Sequence, residues 1–266
     1  MVESTKGILR PNALDKKFHL ARHVPSNDLS FFIEHYWIVK WDLRGGTPYE
    51  SETLPDPSVN AVVEDCRSGI WGVITGRFTR RLEGEGRVFA IKFKPGAFRG
   101  LAAGSVSKLT NRVLSFKDLF GKDGEKYERD IRCLDGDAER IIRTEEFLHS
   151  RNPTRNENII LVNQIIDTVV TNQEIKRVDN LVSQTNIQKR SLQRLFNEYV
   201  GVGPKHVIKR YRLQEAATRL ARGEDANLTQ LALDLGYFDQ PHFIKDFRQI
   251  IGKTPAEYVR SIEIDG

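Results

Sequence analysis

Between Gln188 and Arg212 the chain carries seven basic residues, Lys189, Arg190, Arg194, Lys205, Lys209, Arg210 and Arg212, against a single acid, Glu198. Such a local excess is the footprint that a phosphate backbone selects, although a solvated helix face produces the same count. Four side chains suit a more specific chemistry. Arg190, Gln193, Arg194 and Asn197 fall on one side of a helix, where arginine can grip guanine edges bidentately and the amides can pair with adenine. Arg190 and Arg194 stand four residues apart, and like charges at that spacing weaken a helix unless an anion offsets them. Lys189, Lys205, Lys209 and Arg210 are candidates for phosphate contacts. Further along, Gln240, His242, Lys245 and Gln249 form a second polar face without arginine. That face is expected to read fewer bases, or to bind chiefly phosphate and DNA shape.

The N-terminal half offers weaker chemistry. His19, His23 and His35, with Glu52 or Glu64, match no zinc-ligand spacing, so no metal is expected. Tyr36, Trp37, Trp41 and Trp71 can line a small-molecule pocket with Glu52, Asp56 or Arg77 as polar anchors, although ordinary β-domain core is the simpler reading of the aromatics. No Gly-x-Ser-x-Gly, phosphate-loop or dinucleotide fingerprint occurs, so neither a catalytic residue nor a cofactor is expected. An enzyme in the β-rich half, small-molecule-binding or metal-dependent, is the rival class.

The elements that must position these residues fall into three stretches. Residues 1–120 hold most of the glycines and the alternating patterns and are expected to form an antiparallel β-sandwich or barrel. The aromatic and β-branched run 31–41 and the apolar run 59–63 read as strands. Arg77 to Lys94 reads as a hairpin turning at Gly84-Glu85-Gly86, with Phe89, Ile91 and Phe93 on one face. Residues 121–156 read as a helical linker. There Asp137 can cap a helix running through Ser150, with Ala138, Ile141, Ile142, Glu145 and Leu148 at helical spacing.

Residues 157–266 read as an all-α domain that contains a repeat. Leu181 and Asn186 match Leu231 and Gly236, and Leu192, Phe196, Gly201, Pro204 and Val207 match Phe243, Phe247, Gly252, Pro255 and Tyr258 after a one-residue insertion. In each copy a short helix meets a residue that tolerates positive φ, Asn186 or Gly236, and a second amphipathic helix follows. This is the layout of a helix-turn-helix. Gly203-Pro204 and the capping box Thr254-Pro255-Ala256-Glu257 start the helix after each copy. The connecting helix, about 204–221, would be roughly 27 Å long, against a spacing of ~34 Å between successive major grooves on one duplex face.

Composition agrees with this plan. The chain has 266 residues, 39% hydrophobic and 29% charged, with a net charge of +5. That is enough for one large domain or two ordinary ones. Two cysteines, Cys66 and Cys133, make no disulfide framework. The opening MVESTKGILR lacks the apolar run of a leader, and no stretch approaches a membrane span. A soluble protein of a reducing compartment is the expectation.

Residues 158–262 resemble the double helix-turn-helix DNA-binding domain of the AraC/XylS family of bacterial transcription regulators. The resemblance rests on Ser191-Leu192-Gln193-Arg194-Leu195-Phe196, Gly201-Val202-Gly203-Pro204-Lys205, Leu231-Ala232-Leu233-Asp234-Leu235-Gly236-Tyr237 and Gly252-Lys253-Thr254-Pro255-Ala256-Glu257-Tyr258. Asn186 replaces the usual first-turn glycine, and Pro241 stands in the first turn of the second reading helix, where a missing N–H costs little. The resemblance implies a cytoplasmic regulator, activator or repressor, that touches promoter DNA with both units and works with RNA polymerase. It also implies a homodimer and a small-molecule effector as candidate partners, and no membrane. Ile33-Glu34-His35-Tyr36-Trp37 and Thr75-Gly76-Arg77-Phe78-Thr79-Arg80 look like pieces of the β-rich domain of one branch of such regulators, which implies a fold and no particular ligand.

Overall fold

The computed structural model describes residues 18–224 and 227–265. The segment 1–10, read above for a leader, lies outside the described residues. The fold is α+β: a β-rich N-terminal part followed by helices. Strands β1 (Phe18–His23), β2 (Ile33–Asp42), β4 (Asn60–Val63), β5 (Gly69–Trp71), β7 (Glu85–Phe93) and β8 (Val113–Leu114) form a six-stranded sheet in the order β1-β2-β7-β4-β5-β8, with every pair antiparallel. Among the described residues, strands β3 (Tyr49–Thr53) and β6 (Phe78–Leu82) pair only with each other.

The expected hairpin 77–94 is therefore corrected. Its two strands belong to different sheets, and the chain crosses between them at Gly84, which takes φ of 60°. Local alternation identified both strands, but their partners lie elsewhere in the sequence. Alternation along the large sheet sorts side chains onto two faces. Tyr36, Ile38, Phe89, Ile91 and Phe93 point into the main core, whereas Trp37, Trp41 and Trp71 pack with Val62, Val88 and Ala90 on the opposite face. The two-stranded sheet covers that second face, with Phe18 against Tyr49 (4.8 Å), Phe78 against Trp71 (5.6 Å) and Arg80 over Trp41 (5.4 Å).

Helices α1 (Phe116–Cys133) and α2 (Asp137–Ser150) cover the first face. Tyr127 stacks on Phe147 at 4.3 Å, and Tyr36 Oη donates to Glu145 Oε1 at 3.1 Å. Gly136 caps α2 and Asp137 occupies its first turn. Its buried face is Arg140, Thr144, Phe147 and Leu148, while Ile142 and Ala138 are exposed. Of the periodic stripe expected from the sequence, Ile141, Glu145 and Leu148 face the core, and Ala138 and Ile142 do not. Arg140 also turns inward, donating to the carbonyls of Ile131, Leu134 and Asp135, and so satisfies groups left over at the end of α1.

Seven further helices follow among the described residues: α3 (Glu157–Thr171), α4 (Val178–Thr185), α5 (Lys189–Tyr199), α6 (Pro204–Ala221), α7 (Leu228–Asp234), α8 (Gln240–Ile251) and α9 (Pro255–Asp265). The main core is continuous from the large sheet through α1, α2 and α3 into α5 and the start of α6. A second core gathers Leu213, Leu220, Leu231, Phe243, Phe247, Ile250 and Tyr258 from α6 to α9, and it includes one residue of the β-rich part, Leu54. No helix among the described residues is long and apolar enough to cross a membrane.

Candidate nucleic-acid interface

Both repeats fold as helix, left-handed turn and second helix. Asn186 takes φ of 55° and Gly236 φ of 83°, which closes each turn. Leu192, Phe196 and Tyr199 bury one side of α5, and Phe243, Phe247, Ile250 and Ile251 bury one side of α8. Gly203 precedes Pro204 at the start of α6, and α6 has 18 residues, about 27 Å of rigid connector. Thr254 and Glu257 form the reciprocal cap of α9 at 2.7 and 3.3 Å.

The outward side of α5 presents Arg190, Gln193, Arg194 and Asn197, all exposed. With Glu198 and Ser105 they line an open groove of about 530 Å³. The groove is open, and both arginines on its edge face solvent. On α8, Lys245 and Gln249 are exposed. Gln240 instead accepts from the Thr229 hydroxyl at 2.9 Å and ties α7 to α8. Exposed His242 stands edge-on to Tyr237 and 3.8 Å from Asp246. Asp239 caps α8 by accepting from the His242 backbone N–H at 2.8 Å.

The basic footprint is smaller than the sequence count implied. Arg210 is 2% exposed, so its assignment as a phosphate contact is corrected. It donates to the carbonyls of Leu54 (2.9 Å) and Pro55 (3.0 Å) and pairs with Asp56 at 2.8 Å. Arg212 is buried too and donates to the carbonyls of Val169, Asn172 and Ile175, where it finishes α3. Lys189 pairs with Asp179 at 2.9 Å and Lys209 with Asp246 at 3.1 Å. Arg190, Arg194 and Lys205 are the exposed cations of the seven with no ion pair among the described residues.

The sequence missed the residues of the β-rich part that hold this region. Leu54 enters the second core. Asp56 bridges Arg210 and Lys92 (2.5 Å). Burial raises the Asp56 pKa, but Arg210 and Lys92 outweigh it and hold the carboxyl below its usual 3.8. Glu52, also buried, pairs with Arg77 and with Lys253 (2.9 Å). Gly252, at φ of 84°, lets the Arg77 side chain lie where a Cβ would stand. The local signal for this clasp is Leu54-Pro55-Asp56-Pro57, two prolines flanking an acid beside an apolar residue.

The pocket expected from Tyr36, Trp37, Trp41, Glu52, Trp71 and Arg77 is not one site. Tyr36 lies in the main core, the tryptophans line the opposite face, and Glu52 and Arg77 turn toward the α8–α9 turn. The histidines also diverge. His19 and His23 share a face of β1 set by their pairing with Lys40 and Tyr36, while His35 shares the tryptophan face of β2. Among the described residues no group of His, Cys, Asp or Glu is placed to hold a metal.

Comparison with known proteins agrees with this geometry. Residues 181–261 match a helix-turn-helix domain family, and residues 21–115 match a family described as a domain of unknown function, DUF6597. The regulator MtrA of Neisseria gonorrhoeae is 29% identical over 98 residues, 37% of this chain and 31% of MtrA. The F1 operon positive regulatory protein of Yersinia pestis is 34% identical over 99 residues, 36% of this chain and 33% of that protein. The chain thus matches about a third of the length of these relatives. Among solved structures, ToxT from Vibrio cholerae aligns over 92% of this chain and 98% of its own, at 12% identity and a TM-score of 0.37. By the two family matches, the C-terminal part of this chain carries a helix-turn-helix domain of AraC type, and its β-rich part matches DUF6597.

Proposed function

We propose that the protein is a sequence-specific DNA-binding transcription regulator whose helices α5 and α8 enter successive major grooves of promoter DNA. The observation that carries this reading is the exposed set Arg190, Gln193, Arg194 and Asn197 on α5, in a unit repeated at the other end of an 18-residue helix. Arg194 and Gln193 would read bases, helped by Arg190 and Asn197, with Lys245 and His242 doing so from α8. Lys205 would hold phosphate. Lys189 and Lys209 would join it only by leaving Asp179 and Asp246.

The test is retention of fragmented genomic DNA by the whole chain, followed by sequencing. Enrichment of sites holding two motifs about one helical turn apart supports the reading, and uniform retention refutes it. On such a site Arg194→Ala is expected to cost ~1–3 kcal/mol and to relax one base position. Unchanged binding by that variant would mean the reading face lies elsewhere.

For the β-rich domain we propose small-molecule binding between the two sheets. Support comes from Trp71 Nε1, which is buried without a hydrogen-bond partner beside Trp37 and Trp41. A metabolite that binds at this face raises the melting temperature by mass action. A domain that only pairs two chains gives no such rise with any metabolite and a concentration-dependent melting temperature instead.

A further inference from the structure

The groove along α5 is not made by the helical domain alone. Ser105, which lines it, belongs to the β-rich part and caps a short 3-10 helix, Val106–Leu109. Val106 and Leu109 are buried, while Ser107 and Lys108 on the outer side are exposed. Ser105 Oγ donates to the carbonyl of Asn197 at 3.0 Å, and Thr110 Oγ1 donates to that of Gly201 at 2.6 Å. Gly201, at φ of 101°, is approached so closely that a Cβ there would stand 3.1 Å from Thr110 Oγ1 and 3.2 Å from Val106. The 3-10 helix is therefore fixed to the end of the reading helix.

Charge points the same way. Glu198 is the one acid lining the groove, and a bare carboxylate there would repel phosphate. Arg99, from the same segment of the β-rich part, stands 3.5 Å from it and also donates to the Ala102 carbonyl at 3.0 Å. A helix lying in a major groove has a phosphate strand on each side. A rigid segment bonded to its last turn is carried against one of them.

We infer that the β-rich domain forms part of the DNA interface, with Lys108 contacting the phosphate backbone beside α5, Ser105 fixing its segment to the end of that helix, and Arg99 neutralising Glu198. The inference rests on the reading of α5 as a DNA-reading helix. Phosphate contacts are independent of sequence, so a mixed-sequence duplex serves as probe, with the whole chain and fluorescence anisotropy across a salt series. Lys108→Gln is expected to weaken binding about threefold at physiological salt and to lower the slope of log K against log salt by about one. Lys117→Gln, exposed on α1 and paired with Glu125, leaves both unchanged. Arg99→Ala weakens binding, and adding Glu198→Gln restores most of the loss. Wild-type slopes in Lys108→Gln, or an Arg99→Ala loss that Glu198→Gln does not restore, overturn the inference while leaving α5 as a reading helix. A wild type that binds no duplex overturns both.

Discussion

The first helix-turn-helix unit shares its core with the β-rich domain, so that Leu192, Phe196 and Tyr199 belong to the same apolar body as Phe93, Ala97 and Val106. The second unit shares a separate core with the later part of α6 and with α9, and this body meets the β-rich domain through Leu54 and through charges, Asp56 with Arg210 of α6 and Glu52 with Lys253. Apolar contact over a wide area is tolerant and non-directional, whereas a buried ion pair fails when either partner is lost. Two copies of one plan are thus held by different physics. The first moves with the β-rich domain, and the second is tied to it at a few named groups.

The largest expected effects break this comparison at the cores. Phe196→Ala and Phe247→Ala should each cost about 3–5 kcal/mol. Calorimetry should show Phe196→Ala lowering the transition of the β-rich domain as well, and Phe247→Ala separating an early transition for α7 to α9. Identical single transitions in both variants would show one cooperative body. Next, Asp56→Ala leaves Arg210 buried without its carboxylate, at a cost of about 3 kcal/mol. Hydrogen exchange should quicken in α8 and α9 and hold steady in α5; equal quickening in all three would refute the division.

Acid probes the first body in particular. Burial, then Lys209 and Arg210, lower His206 from 6.5 to about 4, and burial, then Lys92 and Arg22, do the same to His35. Between those values the unfolded chain binds protons that the folded one refuses, so stability falls as pH drops from about 6.5 toward 4. Each histidine should account for about 1–2 kcal/mol at pH 5. His206→Gln should remove its share of the pH dependence of the melting temperature, and an unaltered profile would discount it. The smallest effect concerns caps. Asp239→Ala should destabilise α8 by ~1 kcal/mol, whereas Gln188→Ala, at a start with no side-chain cap, should be near neutral. Chemical denaturation of the two variants compares them directly.

What could be read in the sequence was local. The positive-φ residues Asn186 and Gly236, the proline at the start of α6, the box at Thr254 and Glu257 and the apolar stripes all act within a few residues, and each recurs in the structure. The exposed face of α5 followed from the same periodicity. What escaped was tertiary. Nothing near Arg210 announces Asp56, nothing near Asn197 announces Ser105, and the strands at 78–82 and 85–93 look like neighbours although each pairs elsewhere. Arg140 is a further case: nothing local marks it as a charge that is buried to satisfy the carbonyls at the end of α1.

The continuous core also bears on how this molecule can be taken apart. A cut near residue 156 would seem to free the helical domain, yet it would strip Tyr199, Val200 and Val202 of the apolar neighbours they now share with the β-rich part. The exposed surface would favour self-association, so chimaeras that exchange the helical half between related chains need to carry the 97–110 segment with it.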